Sequence, residues 1–157
     1  NKRFELVVLG KVSDDLQEYL ENLVQDKISH EKLCIKWIGI VDHMNIHEIY
    51  QKADLLFYAD INAACPNSVI ESLASGTPVV AFDTGALPEL LDNQGGVVVP
   101  YGGDPWKIDP PDITSLAENA YNILNNLKDY RKSARKRAES AFDLDFMIDQ
   151  YVEILLG

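Results

Sequence analysis

Ala64-Cys65-Pro66-Asn67-Ser68-Val69-Ile70-Glu71-Ser72-Leu73-Ala74-Ser75-Gly76-Thr77-Pro78-Val79-Val80 is the stretch on which the fold of this chain turns. It holds a loop, a polar helix start, a carboxylate one turn in at Glu71, a helix stopped by Gly76 and Pro78, and a buried strand. A segment of this kind sets backbone N–H groups and one acid at the mouth of a parallel sheet. That is where α/β proteins hold nucleotides, because the open end of a helix attracts negative charge.

Outward from this stretch, strand and helix patterns alternate. Phe4–Leu9 is a nearly continuous apolar run, as buried parallel strands are, and Gly10 stops it. Leu16, Tyr19, Leu20, Leu23 and Val24 then recur at helical spacing within Asp15–Ile28. Leu33–Ile38, Asp54–Tyr58, Pro78–Phe82 and Gly96–Val99 read as further strands. Asn45 with Glu48 three residues on resembles a capping box for a short helix through Lys52. Thr84–Leu91 reads as a turn and a short helix, and Tyr101–Pro111 as a loop. Three helices follow, from an Asp112 cap to Asn126, over Asp129–Ala141 and over Asp145–Leu156. Strands separated by helices call for a parallel sheet with right-handed crossovers. We therefore expect one domain over residues 1–157, an α/β Rossmann-like three-layer sandwich with a helical C-terminal tail.

The composition, 46% apolar and 25% charged, is that of a globular chain, and 157 residues suffice for a sizeable core. Twenty-five acids against 14 bases give a net charge of −11. Phosphate-backbone binding needs clustered cations, so nucleic acid is not an expected partner, although a helix N-terminus can still hold one phosphorylated small molecule. Cys34 and Cys65 show no disulfide or metal-ligand spacing, which favours a reducing compartment. No run approaches the roughly 20 apolar residues of a membrane span, and no signal-peptide pattern opens the chain. The expected location is cytoplasmic, with the inner face of a membrane as an option. A start at Asn1, almost on a strand, suggests a piece of something longer.

On residue types alone, Ser68 and Glu71 form a capping box with Ser68 as N-cap. The functional alternative turns Glu71 toward the crevice, where a carboxylate can accept two ribose hydroxyls. Asn67, four residues earlier, shares its face, and the N–H groups of Ser68 and Val69 face a diphosphate. The two readings are partly compatible. Gly85 is either a turn glycine or a point of close backbone approach, and Glu89 complements a helix dipole. His43 and His47 stand four apart, but Met44 follows His43, so the zinc-protease pattern fails. Cys65 reads as a pocket-lining thiol before a nucleophile. Lys128, Arg131, Lys132, Arg135, Lys136 and Arg137 spread round a helix as a solvated face, attraction to an anionic membrane being the alternative.

Gly39-Ile40-Val41, Ile49-Tyr50-Gln51-Lys52-Ala53-Asp54, Pro66–Val80, Thr84-Gly85-Ala86-Leu87-Pro88-Glu89 and Gly95-Gly96-Val97-Val98-Val99-Pro100 together resemble the C-terminal domain of GT-B glycosyltransferases, most closely the retaining group 1 family. The order and spacing of five blocks carry the resemblance over nearly the whole chain. It implies a donor-binding domain that helps move a hexose from a nucleoside diphosphate sugar, of UDP or GDP type, to a glycan or lipid-linked acceptor, as in polysaccharide biosynthesis. By position, Glu71 matches the second acid of the family's Glu-x7-Glu motif, which holds the ribose. Cys65, Pro66, Asn67 and Ser68 match the loop and helix start that meet the donor sugar and diphosphate. Val41 matches the region whose backbone meets the nucleobase. No catalytic acid or base is identified, and no metal or cofactor beyond the donor is implied.

Three departures stand out. Ala63 occupies the place of the motif's first Glu. The family's opening β-α unit, with an Arg and a Lys that clamp the diphosphate, has no counterpart, and the companion N-terminal domain that holds the acceptor is absent. The isolated piece is therefore expected to be inactive. In the family's 3-2-1-4-5-6 sheet the absent strand is the central one. An empty slot leaves unpaired backbone groups, so we expect five strands closed up as 2-1-3-4-5 rather than a gap filled by another chain. The competing functions are a degenerate GT-B or flavodoxin-like interaction module and a GT-B-fold sugar-nucleotide epimerase.

Overall fold

The computed structural model describes residues 3–27 and 32–157. The chain forms two compact units, Asn1–Ile46 and His47–Gly157.

In the first unit, β1 (Phe4–Leu9) and β2 (Leu33–Gly39) are parallel, joined through α1 (Asp14–Lys27). Ile28, the expected end of that helix, lies outside the described residues. Phe4 stands opposite Leu33 and Val8 opposite Trp37; the register then slips, so that Leu9 faces Gly39. The half-buried Trp37 indole needs a partner and donates to Glu21 Oε1 on α1 at 2.7 Å, holding helix to strand. The unit ends in a 3₁₀ turn, His43–Asn45, capped by the Asp42 carboxylate, which accepts from Met44 N–H at 2.8 Å.

The second unit contains β3 (Leu56–Tyr58), β4 (Val79–Phe82) and β5 (Gly96–Val99), parallel in the order β3-β4-β5. Strand alternation splits β4 between two cores. Val79 and Ala81 face α3 (Asn67–Ala74), α4 (Leu87–Leu91) and α6 (Leu127–Ala141), packing with Val69, Leu73, Leu87, Leu91 and Ala134. Val80 and Phe82 face α5 (Ile113–Asn125), packing with Leu116, Ala120, Ile123 and Tyr101. Phe82 and Tyr101 meet edge to face at 5.2 Å. Asp112 caps α5 as expected, accepting from Ser115 N–H at 2.9 Å. A short helix, α2 (Ile46–Lys52), precedes β3, and α7 (Leu144–Leu156) follows α6 as the tail; no residue of α7 is buried. Among the described residues no helix is long and apolar enough to cross a membrane.

The α/β Rossmann-like character, the parallel pairing and the helical tail match expectation. The closed five-stranded sheet does not. Two sheets form, β1-β2 and β3-β4-β5, without a ladder between β1 and β3. Pairing needs two strands side by side at about 4.8 Å over several residues. β3 is only three residues long and spends one edge on β4, while β1 spends one edge on β2. Phe4 and Leu6 on β1 and Phe57 on β3 stay exposed.

The basic helix α6 is not simply a solvated face. Arg131 donates to the Ala53 carbonyl at 2.6 Å just past α2, and Arg135 donates to the Ala74 carbonyl at the end of α3. Arg137 donates to the carbonyls of Leu90 and Glu89 on α4 at 3.0 and 2.8 Å. These are the negative ends of three short helices, where a cation is favourable.

Candidate functional site

Topology sets α3 at the C-terminal end of β3. Its N-cap is Pro66, with φ −75° and ψ 112°, and no side chain caps it. Ser68 therefore lies inside the helix at its second position and Glu71 at its fifth, so the capping box does not form. Pro66, extended and without an N–H, stands directly ahead of the first helical residue, Asn67. Val69 N–H donates to the Pro66 carbonyl at 3.0 Å, and the Val69 side chain is fully buried. The outward N–H pair is accordingly Asn67 and Ser68 rather than Ser68 and Val69, since the first two amides of a helix have no intrahelical acceptor. Asn67 is exposed, and Ser68 and Glu71 are half-buried.

Glu71 stands one turn beyond Asn67 on the same face. Its neighbour is Tyr50 of α2, a residue whose part in the site no local pattern signals. Burial, then the Glu71 carboxylate and Tyr58, push the Tyr50 phenol up to about 12. Tyr58 is raised as well, by burial and then by Asp60, to which its hydroxyl donates at 3.2 Å. Glu71 is thus flanked by a phenol that stays neutral. The Tyr50 backbone is tied in turn: its carbonyl accepts from the buried Thr77 hydroxyl, and Ser72 Oγ donates to the Thr77 carbonyl at 2.9 Å.

The loop that delivers Cys65 and Pro66 to α3 is pinned to the turn after β4. Ala86 N–H donates to the Ala63 carbonyl at 2.9 Å, and Asn62 N–H to Thr84 Oγ1 at 3.3 Å. Gly85, at φ +54°, makes this possible; a Cβ there would sit 2.3 Å from the Ala63 carbonyl oxygen. Gly85 is thus a turn glycine that also permits close backbone approach, and the partner it meets is the chain's own loop. Ala63 packs against the core of Val69 and Leu73, so the position of the missing acid belongs to an apolar layer.

Cys65 is an exposed free thiol. Val41 belongs to the first unit and is half-buried after β2. A cavity of about 220 Å³ in that unit is lined by Gly10, Lys11, Val12, Gln17, Trp37 and Ile40, beside Gly39; Val41 does not line it. Among the described residues no group of three His, Cys, Asp or Glu side chains suits a metal ion.

A Rossmann-like domain of GT-B type, with an uncapped helix start and a carboxylate one turn in, is the class these features define. The sequence profile described as glycosyl transferases group 1 matches residues 1–126, and the chain belongs to that family. It is 27% identical over 129 residues to an uncharacterized glycosyltransferase of Methanocaldococcus jannaschii, covering 79% of this chain and 31% of that protein. It is 25% identical over 162 residues to the amylovoran biosynthesis glycosyltransferase AmsK of Erwinia amylovora, covering 97% and 37%. The chain thus spans about a third of the length of these relatives, consistent with a C-terminal domain. The solved structure of S. aureus TarM, a complex that includes UDP, shares the fold at a TM-score of 0.72 and 17% identity, over 99% of this chain and 29% of that one.

Proposed function

We propose that this chain is the donor-binding domain of a retaining glycosyltransferase that moves a hexose from a nucleoside diphosphate sugar to a glycan or lipid-linked acceptor. The observation that carries the reading is the uncapped start of α3 with Glu71 one turn in. The Asn67 and Ser68 amides donate to the diphosphate, where negative charge grows as the sugar departs, and Glu71 accepts the ribose hydroxyls. Cys65 and Pro66 line the sugar side. TarM, crystallised with UDP, and AmsK, named for amylovoran biosynthesis, support a nucleotide-sugar donor and a role in polysaccharide assembly. The work is cytoplasmic, at the inner face of the membrane where lipid-linked acceptors reside, and by itself the chain holds donor without completing transfer.

Calorimetric titration with UDP and GDP tests this. One of the two should bind, and Glu71→Ala should abolish binding while the circular dichroism spectrum stays unchanged. A chain that takes up neither nucleotide at millimolar concentration, or a Glu71→Ala variant that binds like the parent, would overturn the donor reading in favour of an interaction module.

A further inference from the structure

The end of α3 opposite its open start is closed with full accounting. A helix leaves its last four carbonyls without intrahelical donors. In α3 the Glu71 carbonyl accepts from Ser75 N–H at 3.0 Å, the Ser72 carbonyl from Thr77 N–H at 2.9 Å, and the Leu73 carbonyl from Gly76 N–H at 2.9 Å. The fourth, on Ala74, accepts from the Arg135 guanidinium of α6, 61 residues further on. Arg135 is itself oriented by Glu139, at 2.7 Å one turn along its own helix. Buried Ala134 and Ala138 of α6 share a core with Val69 and Leu73 of α3, and such small side chains let the two helices lie close. Apolar contact of this kind resists separation of the helices but only weakly resists sliding along the axis. Arg135 supplies a directional contact at one end, while the other end has no side-chain cap.

We propose that Arg135 is a positioning residue for donor binding. Through the Ala74 carbonyl it sets the axial position of α3, and with it the Asn67 and Ser68 amides and the Glu71 carboxylate. The inference rests on the donor-site reading above. α3 has eight residues and is a rod about 12 Å long, too short to absorb a displacement at one end before it reaches the other. A slide of about 1 Å takes a 2.9 Å amide contact out of hydrogen-bond range.

The test is titration of UDP and GDP into the parent chain, Arg135→Gln, Arg135→Lys and Ile123→Val, with a thermal melt of each. Ile123→Val lowers stability from the core on the other face of β4 and serves as the stability control. Arg135→Gln should raise Kd about tenfold, the worth of a hydrogen bond to a charged group. Arg135→Lys should return Kd to within about twofold of the parent, since an ammonium also donates to a carbonyl. Ile123→Val should lower Tm and leave Kd unchanged. If the parent binds and Arg135→Gln binds equally well, the proposal fails and the donor site stands. If Lys does not rescue, or if Ile123→Val weakens binding as much as Arg135→Gln, the effect is one of stability and the proposal likewise fails. A parent that binds neither nucleotide removes the donor site and this proposal together.

Discussion

Replacing Gly85 with Ala should damage stability and site together, by an amount the contacts allow to be worked out. The residue sits at φ +54°, a left-handed conformation that costs an alanine about 1 kcal/mol. The new Cβ would lie 2.3 Å from the Ala63 oxygen and 2.8 Å from the Ala63 nitrogen, both backbone atoms that cannot rotate away. The loop must lift, which breaks the bond from Ala86 N–H to the Ala63 carbonyl, about 1 kcal/mol, and disturbs Ala63 in its core, about 1 to 3 kcal/mol. The total is about 3 to 5 kcal/mol, or a fall in Tm of roughly 10 to 15 °C. Gly76→Ala is the internal control. Its φ of +75° carries the same conformational cost, but the nearest atoms would lie 3.8 and 3.9 Å away, so about 1 kcal/mol is expected. Calorimetric melting of both variants gives the comparison, and nucleotide titration below the transition should show weaker binding only for Gly85→Ala, because the lifted loop carries Cys65 and Pro66. Equal melting temperatures for the two variants would refute the close-approach argument.

Tyr50 should make stability fall in alkali. The unfolded phenol loses its proton near pH 10 and the folded one near pH 12, so the stabilisation is complete below pH 10 and is lost as pH rises to 12, about 2 to 3 kcal/mol in all. Urea unfolding of the parent and of Tyr50→Phe across that window should show a smaller decline for the variant; parallel curves would mean that Tyr50 is not the group responsible. Leu73→Ala removes a fully buried side chain between α3 and β4 and should cost about 2 to 5 kcal/mol by denaturant titration, whereas a loss under 1 kcal/mol would show that α3 is not anchored by its apolar face.

Much of the fold is visible in short-range pattern. β1 and β5 lie where their apolar runs fall, and α5 starts behind Asp112, because period, turn residues and caps act within a few residues. The start of α3 carries two competing local signals. Ser68 and Glu71 have the right chemistry and spacing for a box, yet Pro66 starts the helix two residues earlier, and two local signals that compete cannot be ranked from residue types. The arginines of α6 look like a solvated face for a different reason. Their acceptors are backbone carbonyls 47 to 78 residues away, and a carbonyl leaves no mark in the sequence.

The sequence by itself determined the alternation of strands and helices, the family, and the identity of the residues around Glu71, all of which rest on local chemistry and on the order of blocks along the chain. Only the tertiary structure decided that the sheet stands as two and three strands, that Tyr50 lies beside Glu71, that Ala63 is turned into the core under Gly85, and that Arg135 donates to the last carbonyl of α3. Those outcomes depend on which distant backbone groups come within about 3 Å of one another, and packing in space, not proximity in sequence, selects them.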